Sequence, residues 1–249
     1  MYVDIVELRA FYASPLGQLA RRLAVQRLKR LWTDFDGKAM IGVGYAVPYL
    51  DIFRERTERC LAFMPARQGV AAWPHKAGSA VALVDETDLP LNDSSIDRLL
   101  LVHCLEMTEN SEALLKEAWR VLTPGGRLAA IVPNRRGIWA RLDRTPFGHG
   151  RPYSRRQLSR LLRAASFTPQ AWADALWVPP FRSRMMLRSA AAFERAGALI
   201  PAMPPGLILV DASKEVRRVI PADAEKARRF KILPVPEPAS TPARREWVE

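Results

Sequence analysis

Residues 85–134, DETDLPLNDSSIDRLLLVHCLEMTENSEALLKEAWRVLTPGGRLAAIVPN, read as strand end, strand, helix, glycine turn and strand, with polar residues gathered where the first full strand finishes. Ile96 to Val102 is a short apolar run suited to a strand covered on both faces, and it ends at His103, Cys104 and Glu106. Asn110 or Ser111 can cap the helix that follows, whose apolar stripe is Leu114, Leu115, Ala118, Trp119 and Leu122. Thr123-Pro124-Gly125-Gly126 stops it, because proline cannot continue the hydrogen-bond ladder and glycine can take the left-handed conformation of a helix end. Arg127 to Val132 restarts as a strand. This order predicts a parallel sheet, whose ligands sit beyond the carboxyl ends of the strands. Asp85, Glu86 and His103 are placed to face that crevice.

Upstream, Lys38 to Val43, Arg59 to Met64 and Ser79 to Val84 read as three more strands. The connection at 65–78, PARQGVAAWPHKAG, carries too much proline and glycine for a full crossover helix. Pro48 suits the first turn of a helix after the first strand. Downstream, Thr168 to Leu176 and Gly206 to Ala212 complete seven strands. Leu16, Leu19, Ala20, Leu23, Ala24, Leu28, Leu31 and Trp32 recur at helical spacing opposite Arg21, Arg22, Lys29 and Arg30, which predicts an amphipathic helix in an N-terminal segment 1–37. That helix is expected to pack on the sheet or cap the crevice rather than lie on a membrane.

The stretches LPLNDSSIDRLLLVHCLE, EAWRVLTPGGRLAAIVPN and FGHGRPYSRRQL resemble the central and late motifs of class I S-adenosylmethionine-dependent methyltransferases of the small-molecule type, over about residues 38 to 212. The resemblance implies an α/β fold, a Rossmann-like three-layer sandwich with a seven-stranded, mostly parallel sheet of order 3-2-1-4-5-7-6 and an antiparallel last strand. It also implies S-adenosylmethionine as cofactor and a methyltransferase domain at 38–220. By composition, residues 177–205 with their aromatic and methionine side chains suit a lid insertion or, more readily, helix packing, and the proline, alanine and charge of 221–249 suit a flexible tail.

By that resemblance Gly42, Val43 and Gly44 bring main chain to the cofactor, Met64 occupies the ribose position, and Asp85, Glu86 and His103 line the remainder. The motif is degenerate. Met40 and Met64 stand where the family has acids, and Ala46 replaces the third glycine. A missing hydrogen bond to a ribose hydroxyl is worth about 1 kcal/mol, more if the hydroxyl is buried unpaired. Asp97 matches an aspartate whose family role is structural. His103 is the candidate general base, since imidazole titrates near neutrality. His149, Arg151 and Tyr153 are candidates for substrate contact, Arg151 through an acidic group.

The chain of 249 residues carries a formal charge of +12, most of it arginine. Between 151 and 188, Arg151, Arg155, Arg156, Arg160, Arg163, Arg182, Arg184 and Arg188 face Asp174 alone. Such a segment suits an anionic substrate or an acidic protein partner, and less readily RNA, for which no base-reading motif is visible. Cys60 and Cys104, without CxxC or histidine at ligand spacing, argue against zinc and a secreted disulfide framework. No apolar stretch approaches a membrane span, and Asp4, Glu7 and Arg9 disfavour a signal peptide, so a cytoplasmic protein is expected. The leading reading is a methyltransferase acting on a small or medium-sized acceptor. Its rivals are a catalytically impaired, methyltransferase-like binding or regulatory protein with a basic surface and, third, an RNA methyltransferase.

Overall fold

Seven strands form one sheet in the order β3-β2-β1-β4-β5-β7-β6. They are β1 (Ala39–Gly44), β2 (Arg59–Pro65), β3 (Val81–Val84), β4 (Ile96–Val102), β5 (Leu122–Pro133), β6 (Phe167–Ala175) and β7 (Leu207–Lys214). The first five are parallel, and β7 inserts antiparallel to both β5 and β6. This is the topology expected from the resemblance. The computed structural model describes residues 2–74, 78–181, 189–200 and 203–215, all within one compact unit. Arg182, Arg184, Arg188, the Met185–Leu187 part of the expected lid and the tail from 221 lie outside the described residues.

Alternation along each strand builds two cores. Met40, Ala62, Met64, Leu100, Val102 and Ile131 point to one face, while Ile41, Val43, Phe63, Leu99, Leu101 and Val132 point to the other. The first face is covered by α1 (Ile5–Ala13), α2 (Pro15–Leu31) and the short α3 (Val47–Leu50), the second by α4 (Ser111–Val121) and α5 (Arg155–Ala164). A further helix, α6 (Ala190–Leu199), precedes β7. Asp97 is structural here: it accepts from the Ala39 amide at 3.0 Å and from Thr123 Oγ1 at 3.2 Å, which ties the start of β1 to β4 and β5.

Three local expectations are corrected. The N-terminal segment holds two helices instead of one. Asp4 caps α1 through the Val6 amide, Ser14 caps α2 through the Gly17 amide, and Pro15 breaks the ladder between them. At that corner a Cβ on Gly17 would lie 2.0 Å from the Phe11 carbonyl oxygen, so only glycine lets the two helices fold back on each other. The Thr123–Gly126 turn does not separate helix from strand. Pairing of β5 begins at Leu122 opposite Ile96, with a register shift that absorbs the glycines. The helix after β1 has only four residues, so it presents no sustained N-terminus to the crevice.

Candidate functional site

Gly42, Val43, Gly44, Met64, Asp85, Glu86 and His103 lie at or just beyond the carboxyl ends of β1 to β4. The two glycines are explained by the protein's own packing. A Cβ on Gly42 would meet the Ala46 Cβ at 2.5 Å, and one on Gly44 the Val102 carbonyl oxygen at 2.2 Å and the Cys104 Cβ at 2.7 Å. Gly44 also has φ +86, a left-handed value that glycine adopts without strain. Tyr45 then bonds its amide to the Val102 carbonyl at 2.9 Å and turns its ring inward, where it is 5 % exposed.

His103, also at positive φ (49°), is completely buried. Its Nε2 lies 2.8 Å from the Tyr12 hydroxyl, which lies 3.0 Å from the Tyr49 hydroxyl. Its Nδ1 is 3.5 Å from Glu106 Oε1. Nε2 and the Tyr12 hydroxyl share one hydrogen bond, whose direction follows the tautomer of the ring. Burial, then the neighbouring Tyr49, pushes the Tyr12 hydroxyl far above the ordinary phenol value, so it stays neutral. Neither Glu106 oxygen nor His103 Nδ1 makes a hydrogen bond among the described residues. Sequence reading singled out His103 but missed Tyr12, which comes from a helix it did not foresee.

That helix and the residues before it cross the edge from β3 to β4. Tyr2 donates to Glu86 Oε1 beyond β3, Ile5 donates its amide to the Gln68 carbonyl beyond β2 at 2.9 Å, and Tyr12 reaches His103 beyond β4. Gln68 donates onward to the His103 carbonyl at 3.0 Å. Met64 is covered as well, its sulfur accepting from the Ala71 amide at 3.3 Å. Asp85 is exposed and accepts from the Thr87 amide and hydroxyl, which hold its carboxyl below the usual range.

The other candidates separate into two grooves. His149, whose Nε2 lies 3.0 Å from the Asp143 carbonyl oxygen, lines a groove of about 550 Å³ between α1 and residues 143–149, together with Val3, Glu7 and Phe11. Arg151 and Tyr153 line another, of about 660 Å³, with Arg135, Gln157 and Arg160. Its floor is rigid: Arg151 N–H bonds to the Glu106 carbonyl at 2.7 Å, Arg135 N–H to the Tyr153 carbonyl at 2.9 Å, and the Tyr153 hydroxyl to the Leu105 carbonyl at 3.2 Å. Among the described residues no group of three or more His, Cys, Asp or Glu is placed to hold a metal ion, and no helix is long and apolar enough to cross a membrane.

Strand order, the glycine pair after β1 and the acid pair after β3 together define the type of sheet edge, and comparison with known proteins agrees. Residues 39–130 match the family described as a methyltransferase domain. That match spans well under half of the chain, and the complete sheet has the fold of such domains. A demethylmenaquinone methyltransferase of Tropheryma whipplei (strain Twist) is 39% identical over 87 residues, 34% of this chain and 33% of the relative. The chain thus matches about a third of that curated relative's length. Among solved structures of the same fold, an S-adenosylmethionine-dependent methyltransferase of Thermotoga maritima is similar with TM-score 0.56 and 18% identity, over 85% of this chain and 96% of that one. A chain of the Haloferax volcanii complex between the Trm112 methyltransferase activator and a methyltransferase is similar with TM-score 0.62 and 15% identity, over 87% and 100%.

A methyltransferase-type sheet does not by itself mean that the donor fits this arrangement. Met40, Met64 and His103 have no exposed surface, and Gln68 is 1 % exposed. A side chain without surface reachable by water borders no space as large as one water molecule, let alone adenosine. With residues 2–12 seated, the ends of β1, β2 and β4 are covered by the protein itself, and a small groove of about 280 Å³ lined by Arg67, Asp85, Glu86 and Thr108 remains beyond β3.

Proposed function

We propose that the protein is an S-adenosylmethionine-dependent methyltransferase acting on a small or medium-sized acceptor that carries an anionic group. The reading is supported above all by the β3-β2-β1-β4-β5-β7-β6 sheet with Gly42 and Gly44 ending β1, within the 39–130 match. When bound, the donor supplies an electrophilic methyl group. His103 is the candidate to take a proton from an acceptor once its Nε2 is released, with Glu106 Oε1 3.5 Å from its Nδ1. Arg135, Arg151 and Arg160 favour an acidic group on the acceptor, since guanidinium forks pair with carboxylate or phosphate. Those arginines follow residue 130, so the family match does not speak to the acceptor.

A second reading, a catalytically silent binding protein of methyltransferase fold, is favoured by one observation: apolar Met40 and Met64 are buried where a donor-binding acid would stand. Calorimetry with S-adenosylmethionine and S-adenosylhomocysteine separates the two. The enzyme reading expects measurable heat and a raised melting temperature, as any ligand of the native state must give. Absence of both at millimolar ligand, in the native chain and in variants loosened at Tyr2 and Tyr12, would leave the silent binding protein.

A further inference from the structure

We propose that residues 2–12 are an internal plug of the donor crevice, a segment that competes with the nucleoside-bearing donor for the same strand ends and must be expelled before that ligand binds. The inference rests on the methyltransferase reading for the identity of the ligand, but the seat of the plug stands on its own contacts.

The dimensions agree with such a role. Strands β3 and β4 are separated by β2 and β1, three inter-strand steps of about 4.8 Å, or roughly 14 Å. A nine-residue helix spans about the same length at 1.5 Å per residue. Helix α1 and the non-helical residues 2–4 before it cover that span together, with Tyr2 on Glu86 past β3, Ile5 on Gln68 past β2 and Tyr12 on His103 past β4. Ile5 also packs into the space left by the absent side chain of Gly69, where a Cβ would lie 2.9 Å from its Cγ2.

The polar groups at these strand ends are the second observation. Glu86, Gln68 and His103 are three hydrogen-bonding residues at the ends of three different strands, and each is engaged by α1 or its flank. Burying such groups is costly unless partners are found; the N-terminal segment supplies one to Glu86, to the Gln68 carbonyl and to His103 Nε2, while Gln68 Oε1 and His103 Nδ1 have none among the described residues. The ring of Tyr12 is held by Tyr45 at 5.6 Å, Tyr49 at 5.9 Å and His103 at 5.8 Å between centroids, an aromatic box around one phenol.

A plug differs from a lid in the sign of one effect. A lid folds over the bound ligand and is protected by it; a plug shares the ligand's space and is released by it. In the plug case the apparent affinity equals the intrinsic affinity scaled by the fraction of molecules with the crevice open. Anything that weakens the anchors then tightens binding.

The test uses the full chain, its double variant Tyr2→Phe/Tyr12→Phe, which keeps both rings and removes both hydroxyls, and Ile5→Ala as an independent loosening of the apolar anchor. Amide hydrogen exchange of residues 2–13 and calorimetry with S-adenosylhomocysteine are read on all three. Each variant is expected to exchange faster than the native chain across 2–13. The double variant should bind S-adenosylhomocysteine roughly ten- to a hundred-fold more tightly, the effect of two lost hydrogen bonds on the opening equilibrium. Saturating ligand should accelerate exchange at 2–13 in the native chain. Slower exchange at 2–13 on ligand binding, equal affinity in native and variant chains, or unchanged exchange in both variants would each overturn the plug. Faster exchange in the variants with no ligand binding in any form would uphold the seat of the plug and sink the donor reading instead.

Discussion

Gly44 shows how one residue can satisfy two different requirements. In the superfamily a glycine here lets a ligand approach the main chain, yet in this protein its missing Cβ accommodates the Val102 carbonyl and Cys104. Gly44→Val would combine a positive φ, worth about 1–2 kcal/mol against a residue with a Cβ, with overpacking of roughly 1–3 kcal/mol. The expected outcome is a urea midpoint far below that of the native chain, seen before any ligand is added. An unchanged midpoint would mean that β4 yields to the new side chain and that the glycine is there for a ligand alone. Asp211 is the opposite kind of residue, a buried carboxyl with its partners in place. It accepts from Trp32 Nε1 at 3.0 Å and from two nitrogens of Arg127, joining α2 to β5 and β7. Asp211→Ala strands a guanidinium beside the core and should cost about 3–5 kcal/mol, read as a lowered midpoint at unchanged slope.

Helix α4 carries a charge arrangement that makes its docking sensitive to acid. Glu117 accepts from Arg120 and from the Leu89 amide, and these hydrogen bonds, the arginine's first, hold its carboxyl below the ordinary 4.5. A depressed native value contributes stability that is complete above pH 4.5 and is lost as the pH falls through the lower native value. Glu117→Gln should therefore lose less melting temperature than the native chain between about pH 6 and about pH 3; parallel curves would show that the pair adds nothing. The same helix was plain in the sequence, since Asn110 and the stripe of Leu114, Leu115 and Ala118 state both its start and its face, although Leu122, read as part of that stripe, opens β5. The strands were legible for the same reason, as short apolar runs between turn residues. Helix α1 was not. Its stripe is only Ile5, Leu8 and Tyr12, too short to stand out, although Asp4 marks its start. The crevice contacts were illegible because Tyr2 and Glu86, or Tyr12 and His103, lie 84 and 91 residues apart and meet only through the topology. Local spacing identifies elements; it says nothing about which element lies over a strand end.

Across the molecule, the +12 charge is not spread evenly between paired and unpaired cations. Arg56, Arg98, Arg120, Arg127 and Arg155 have carboxylate partners. Arg135, Arg151 and Arg160, which share one groove, have none among the described residues, and Glu112 is the single acid lining it. Unpaired arginines converging on a concave surface raise the local concentration of anions, and salt should weaken that attraction as the Debye length shrinks from about 10 Å at 0.1 M to about 3 Å at 1 M. Inorganic pyrophosphate is a simple probe of this field. It should raise the melting temperature of the native chain at low salt, lose most of that effect near 1 M salt, and do little to Arg151→Ala/Arg160→Ala. Glu112→Gln should bind the probe a few-fold more tightly, because the one like-signed repulsion has gone. A shift that survives high salt, or that persists in the double variant, would place the anion elsewhere on the basic surface and remove the argument for an acidic acceptor.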